Sequence, residues 1–252
     1  MSRGFDANDG GLVGRSAQEI FNLIEISQQA NAGKVNKSTY FTAAISIYQI
    51  YNDTINDLLS NNTANQLQIR TYYDHDTGKC YTQIVDMVKK EMKNKKDYDN
   101  ILLEAIHNRK LLTQTLKINE LKKKSHLVIS LILEKRDKIS EGVNKVTEKS
   151  IEKFAQMDFA ELASSNIGLP TIKIPESDYQ SNDDINAKTV AKNFDTLSAN
   201  LVSSATDIPS SKESKLTLAL KPTLNSDANT LVFVCVLPNE EPPTNSIKAL
   251  KV

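Results

Sequence analysis

The chain has 252 residues, of which 25% are charged and 39% apolar, and its 31 basic and 31 acidic side chains leave a formal net charge of zero. That length can bury a real core in one large domain or two small ones, and the composition excludes a disordered or membrane-spanning chain. A neutral balance gives no general pull toward nucleic acid. Two cysteines, Cys80 and Cys235, make neither a disulfide framework nor a zinc cluster and fit a reduced compartment; no apolar run reaches the roughly 18 residues of a membrane span, so neither a membrane nor a nucleic-acid partner is expected.

Residues 1–10 read as a flexible lead-in. From Ser16, a candidate N-cap with Glu19 three residues on, the spacing of Ala17, Ile20, Phe21 and Ile24 predicts a helix. Tyr40–Ile50 is rich in aromatic and β-branched residues and predicts a strand, with Ile55, Leu58 and Leu59 as a helical turn behind it. Leu67–Tyr73, the turn-forming D-H-D-T-G-K and the stretch to Tyr81 predict an antiparallel excursion. Val85–Arg109 has helical spacing. His126–Glu134 is a near-continuous apolar run, as expected of a strand covered on both faces, and the charged residues 135–150 read as a solvent-facing excursion. Residues 171–187 read as a loop. Val190, Phe194, Leu197, Leu201 and Val202 restore helical spacing, Leu216, Leu220 and Leu224 continue it, and Thr230–Leu237 predicts a second buried strand. Buried strands alternating with helices indicate an α/β fold.

Catalytic equipment is scarce. Neither G-x-x-x-x-G-K-[ST] nor G-x-G-x-x-G occurs, so no glycine-rich phosphate cradle has a candidate. His75, His107 and His126 lack metal-ligand spacing and are read as structural or surface residues. Two lysine clusters stand out, Lys89, Lys90, Lys93, Lys95 and Lys96 in one and Lys122, Lys123 and Lys124 in the other. Each is a solvated charged face by default, or a docking patch for an acidic partner.

Four segments, in order, resemble kinesin motor domains. Gly11–Ser16 with Ile20-Phe21 is similar to G-I-I-P-R…I-F, and Ile47–Asp53 with Asp57-Leu58-Leu59 to S-Y-x-E-I-Y-N-E…D-L-L. Asn108-Arg109, then Asn119 through Ser125-His126, is similar to N-R…N-x-x-S-S-R-S-H of switch I. Ser214-Lys215-Leu216-Thr217 with Leu220, Leu224 and Thr230-Leu231 is similar to the S-K-L-T…T-L ending. The resemblance implies a three-layer α/β motor fold, a mixed central sheet flanked by helices. The family's N-terminal strands and P-loop are missing from this chain, so 11–243 is an incomplete motor-homology domain and 244–252 a tail.

The departures fall on the nucleotide chemistry. By the resemblance, Asn119, Ser125 and His126 match switch I, Lys122 and Lys123 replace the serines placed near Mg²⁺ and the γ-phosphate, and Lys124 stands at the arginine. Switch II, D-L-A-G-S-E, is matched by Asp158–Ala163. Its aspartate is Asp158, its phosphate-sensing glycine is Glu161, and the glutamate that pairs with the switch I arginine is Ala163. Phosphoryl transfer depends on positioned donors and Mg²⁺, so the expectation is a degenerate nucleotide site with no catalytic residue, cofactor or metal. The chain resembles the noncatalytic motor-homology subunit of fungal heterodimeric kinesin-14 motors. That implies microtubule binding, through Lys188, Lys192, Lys212, Lys215 and Lys221, and a catalytic subunit partnered through an upstream coiled coil. It also implies work in the cytoplasm or nucleus, on the cytoskeleton, at the spindle or spindle pole body, or in karyogamy. The alternative is an ATP- and Mg-dependent kinesin whose P-loop lies upstream.

Overall fold

The computed structural model describes residues 11–31, 37–75, 79–116, 124–141, 147–163, 182–202, 214–224 and 228–233. Helix α1 (Gly11–Asn31) begins five residues before Ser16, which is therefore not its N-cap. Gly11 opens it at φ 44°, a left-handed conformation that glycine enters without steric cost. Val13, Gly14 and Ala17 turn inward, with Gly14 lying over the ring of Tyr98.

Strand β1 (Lys37–Tyr51) contains the expected Tyr40–Ile50 and extends it at both ends. Ile55 lies not in a helical turn but in β2 (Thr54–Asp57), which folds straight back on β1 with Tyr51 opposite Thr54. Asn52 and Asp53 both sit at positive φ, 48° and 56°, the geometry of a two-residue hairpin whose twist matches the strands it joins. Leu58 and Leu59 follow in a bend. It is secured by the Asp57 carboxylate, which accepts from the backbone N–H of Leu59 at 2.8 Å and of Val88 at 2.7 Å. After the short β3 (Gln66–Leu67), β4 (Ile69–Asp74) and β5 (Lys79–Ile84) pair antiparallel as expected, forming a separate two-stranded sheet.

The helix expected from Val85 starts ten residues later. Residues 85–86 form a turn with Asp86 at φ 58°, residues 87–89 carry no regular structure, β6 (Lys90–Met92) pairs with β1, and α2 runs Lys95–Thr115. Asn94 caps α2, accepting from the N–H of Asp97 at 3.0 Å, while Asp97 accepts from the N–H of Lys93 at 2.8 Å. This reciprocal pairing satisfies donors that the first turn leaves open, and it overrides the apolar spacing of Met87 and Val88.

β7 (His126–Glu141) and β8 (Thr147–Glu161) form one long antiparallel pair, so most of 135–150 is strand rather than excursion. Here the backbone ladder, not burial, maintains the strands: Arg136 donates to Glu152 at 2.8 Å across an exposed face. Residues 182–187, expected as loop, open α3 (Asn182–Val202); the remainder of 171–187 lies outside the described residues. Last comes α4 (Lys215–Leu224). Thr230–Phe233 carries no strand pairing, and Leu231, Val232 and Phe233 are exposed; residues 234–237 lie outside the described residues.

The main sheet runs β3-β2-β1-β7-β8, with β6 sharing the β2-bearing edge of β1. All its described pairings are antiparallel. Strand alternation sends Ala43, Ile45, Ile47, Leu127, Ile129 and Leu131 to one face, where α1 and α2 cover them. Tyr48, Ile50 and Val128 go to the other, under α3, α4 and the small sheet. Three layers result, as the kinesin resemblance implied. Burying each of these large apolar side chains contributes about 2 kcal/mol. Among the described residues, no helix is long and apolar enough to cross a membrane.

Candidate functional site

The polar groups of the molecule gather where β1 finishes, β7 starts and β8 ends. The register places Ile50 opposite His126 and Leu127 opposite Glu161, so Ser125, His126, Glu161 and Ala163 meet at one end of the sheet. His126 is 1% exposed. Its Nδ1 accepts from the N–H of Ala163 at 3.0 Å, and the Asn193 side-chain amide lies 3.1 Å from Nε2. Burial pushes its pKa down to about 4, so the ring is neutral at physiological pH. With Nδ1 accepting, the proton rides on Nε2; Asn193 Nδ2 faces it while Oδ1 is unpaired among the described residues, so the amide completes the bond when turned to present its oxygen. The Phe194 ring packs edgewise against the imidazole. One side chain thus joins the start of β7, the chain leaving β8, and α3.

On the α1/α2 face the same sheet end meets Arg109. This guanidinium is 6% exposed, donates from Nη2 to Ser125 Oγ at 3.0 Å, and has Nη1 4.0 Å from Glu161 Oε2. Burial pulls its pKa down and the Glu161 carboxylate opposes that pull. Gln49 stands on the same face, across Leu127 from Glu161. It is fully buried, and neither of its amide atoms has a hydrogen-bond partner among the described residues; Arg109 Nε has none either.

Asp158 is not brought to this group. Three residues from Glu161, it points to the opposite face of β8, as odd spacing in a strand requires. There the Gln156 amide donates to both carboxylate oxygens, at 2.9 Å and 3.0 Å, Ser130 adds a side-chain hydrogen bond, and burial pushes its pKa up. Ala163 contributes its backbone N–H, and the acid facing a buried arginine is Glu161. Lys124 offers its carbonyl to Asn186 Nδ2 at 3.2 Å. Asn119, Lys122, Lys123 and Lys212 lie outside the described residues.

The β1–β2 turn anchors both helices of the second face. Thr189 on α3 lies 3.2 Å from Asn52 Oδ1, and Asp53 accepts from the N–H of Lys215 at 3.1 Å, placing a carboxylate at the positive end of α4. Ser214 caps that helix through the N–H of Thr217, and Thr196 of α3 joins the same hydroxyl cluster. With Asn186, Val190, Asn193 and Leu197 buried, Lys188 and Lys192 are presented outward; Lys215 and Lys221 on α4 are half-exposed. The other lysine cluster is divided between β6 and the start of α2, where Lys90 pairs with Glu104 at 2.6 Å and Lys95 pairs with Asp99.

The site residues that sequence reasoning missed are Arg109 as a buried charge, Gln49, Asn186 and Asn193. The two asparagines carried a signal, since they occupy the inward positions of an otherwise apolar helical stripe. Among the described residues, the end of β8 presents a carboxylate that faces Arg109 at 4.0 Å, and no cluster of three or more His, Cys, Asp or Glu side chains occurs.

The Kinesin motor domain family matches residues 1–252. The kinesin-like protein KIN-14M of Arabidopsis thaliana is 25% identical over 258 residues, covering 100% of this chain and 31% of that protein. KIN-14C of the same plant is 26% identical over 253 residues, covering 96% and 29%. The chain therefore spans under a third of the length of these relatives. A solved structure of the C-terminal motor and motor homology domain of Kar3Vik1, fused to a synthetic heterodimeric coiled coil, superposes with a TM-score of 0.68 at 20% identity, covering 97% of this chain and 57% of that one. At that identity the likeness is one of fold.

Proposed function

Because this chain belongs to the kinesin motor domain family, we propose that it is a noncatalytic motor-homology domain that binds microtubules without turning over ATP. The observation that carries the reading is Glu161. It stands where the resemblance puts a glycine whose bare N–H senses the γ-phosphate, and it ends β8 with a side chain 4.0 Å from Arg109. A phosphate there would meet a negative charge, one that Arg109 already faces. Lys188 and Lys192 on α3, with Lys215 and Lys221 on α4, supply cationic side chains for an acidic filament surface, and the Asn52-Asp53 turn holds both helices to the sheet.

The domain is proposed to work in the cytoplasm on the cytoskeleton, in a spindle or karyogamy motor, as one half of a heterodimer. A catalytic kinesin-14 subunit and a coiled coil form the rest. The Kar3Vik1 likeness supports this arrangement, since that assembly pairs a motor with a motor homology domain.

Cosedimentation of the purified chain with microtubules tests the reading. Binding is expected to weaken steeply with salt and to be the same with ATP, ADP or no nucleotide. Microtubule-stimulated ATP turnover would overturn it. A second reading, an ATP-dependent motor, is favoured by coverage: the relatives are more than three times as long as the matched region. Turnover by the full gene product, lost on mutating an upstream G-x-x-x-x-G-K-[ST], would establish that alternative.

A further inference from the structure

Beyond the apolar cluster under α3 and α4, the second face of the main sheet continues to a concave site of about 220 Å³. Register sets Tyr40, Arg136 and Glu152 in one row across β1, β7 and β8, and Thr42, Glu134 and Phe154 in the next. Strand alternation puts all six side chains on the face of Tyr48 and Val128. Tyr40 is 56% exposed and Phe154 60%. These two rings stand at diagonal corners, on strands about 10 Å apart, with Glu134 and Arg136 on the floor between them. Arg136 is engaged, since its Nε donates to Glu152 at 2.8 Å. The Glu134 carboxylate has no ion pair or hydrogen bond among the described residues. Two carboxylates against one guanidinium make the site acidic on balance.

The opposite face of the same strands shows the complement. There Lys135 lies over the Phe41 ring, 5.9 Å from its centroid, and its ammonium is 3.4 Å from the Asp137 carboxylate. Ring, carboxylate and cation make a complete set on that face. On the second face the rings and the carboxylate recur, in Tyr40, Phe154 and Glu134, and no described cation lies above them. An aromatic face attracts a cation through its quadrupole, and a nearby carboxylate adds to the attraction. A guanidinium suits both partners, because it is flat enough to stack on a ring and presents a fork of donors to a carboxylate. The volume falls below the roughly 300–1,000 Å³ of small-molecule pockets and suits one long side chain.

We propose that this site receives an arginine side chain from a partner protein, held between Tyr40 and Phe154 with its guanidinium on Glu134. Tyr40 and Ile50 lie toward opposite ends of β1, about 33 Å apart, and the Asn52-Asp53 turn that holds α3 and α4 follows Ile50. The partner can therefore dock while Lys188 and Lys192 face a filament. This inference goes beyond microtubule binding and stands or falls separately from it.

Titration of the whole isotope-labelled chain with the peptide acetyl-Leu-Arg-Leu-amide tests it by NMR. The backbone amides of Tyr40, Glu134 and Phe154 are expected to shift saturably, while those of Ile101 in α2 and Leu197 in α3 keep their positions. The citrulline counterpart, equal in shape but neutral, is expected to bind about fivefold more weakly or worse, and the arginine peptide should lose a similar factor on Glu134→Gln. Glu134 is exposed, so this variant is expected to fold as the parent does, and the unmoved Ile101 and Leu197 resonances check that. Absence of shifts overturns the proposal. So does equal binding of the two peptides, which makes the contact purely apolar, and so does equal affinity for the parent and Glu134→Gln. Shifts at the same three residues on concentrating the chain without peptide also overturn it, by assigning the site to a second copy.

Discussion

Arg109 on α2 and Glu161 at the end of β8 face each other, Nη1 to Oε2 at 4.0 Å, across the boundary between the first helical layer and the sheet. The two differ in environment: the arginine is nearly enclosed, and the glutamate side chain is 38% exposed. Water therefore screens the pair, and the attraction alone is worth about 1 kcal/mol or less. Glu161→Gln is expected to destabilise by about 1 kcal/mol in urea unfolding. Arg109→Ala is expected to cost about 3 kcal/mol, because it also empties a buried volume and removes the hydrogen bond to Ser125. Equal effects would show that the arginine is not the anchor.

His126 makes stability depend on pH in a definite direction. Its folded pKa lies near 4 against 6.5 for the free side chain, so the unfolded chain binds the extra proton. Its contribution is complete above pH 6.5 and is lost as pH falls from there toward 4, by about 3 kcal/mol over the window. Asp57 and Asp158, whose pKa values burial raises, act with opposite sign and lose stability as pH rises. Comparing the parent with His126→Gln isolates the histidine. The difference in unfolding free energy between pH 7 and pH 5 should shrink in the variant; identical pH profiles would contradict the buried neutral ring.

Asp57 holds the bend after β2 by accepting two backbone N–H groups at 2.8 Å and 2.7 Å. Asp57→Ala leaves both donors unpaired in a buried setting and is expected to cost about 2–4 kcal/mol. Asp57→Asn, which keeps an acceptor, should recover part of the loss. Thermal melts of the two variants check the order.

Gln49 lies fully buried with both amide atoms unpaired among the described residues. Gln49→Met keeps the volume and removes the polar group, so stability should rise by about 1 kcal/mol. A fall of similar size would mean that ordered water completes the amide and belongs to the fold.

Lys188 and Lys192 are exposed on α3, so reversing both charges should leave unfolding within about 0.5 kcal/mol of the parent. Microtubule affinity is expected to fall at least tenfold at low salt, with less difference at high salt. Unchanged cosedimentation would place the binding face elsewhere.

Residue pattern alone determined the identity of the segments whose neighbours enforce a single period. Tyr40–Ile50 is a strand because it is rich in aromatic and β-branched side chains and His126–Glu134 because it is a near-continuous apolar run, and Val190, Phe194 and Leu197 define one side of α3. The order of four motif-like segments was enough to indicate the family. Tertiary structure decided what periodicity cannot encode. Reciprocal capping by Asn94 and Asp97 moved the start of α2 past residues with helical spacing, and the Asn52-Asp53 turn made Ile55 a strand residue. Pairing with β7 drew charged residues 147–153 into β8, because backbone hydrogen bonds depend on the partner strand and not on side-chain polarity. The site depended on the fold most of all. Asp158 and Glu161 lie three residues apart in one motif, yet the alternation of β8 sends one to Ser130 and the other to Arg109. Only register across β1, β7 and β8 sets Gln49, Leu127 and Glu161 in a row, and that register is a long-range choice no local stretch of chain can make.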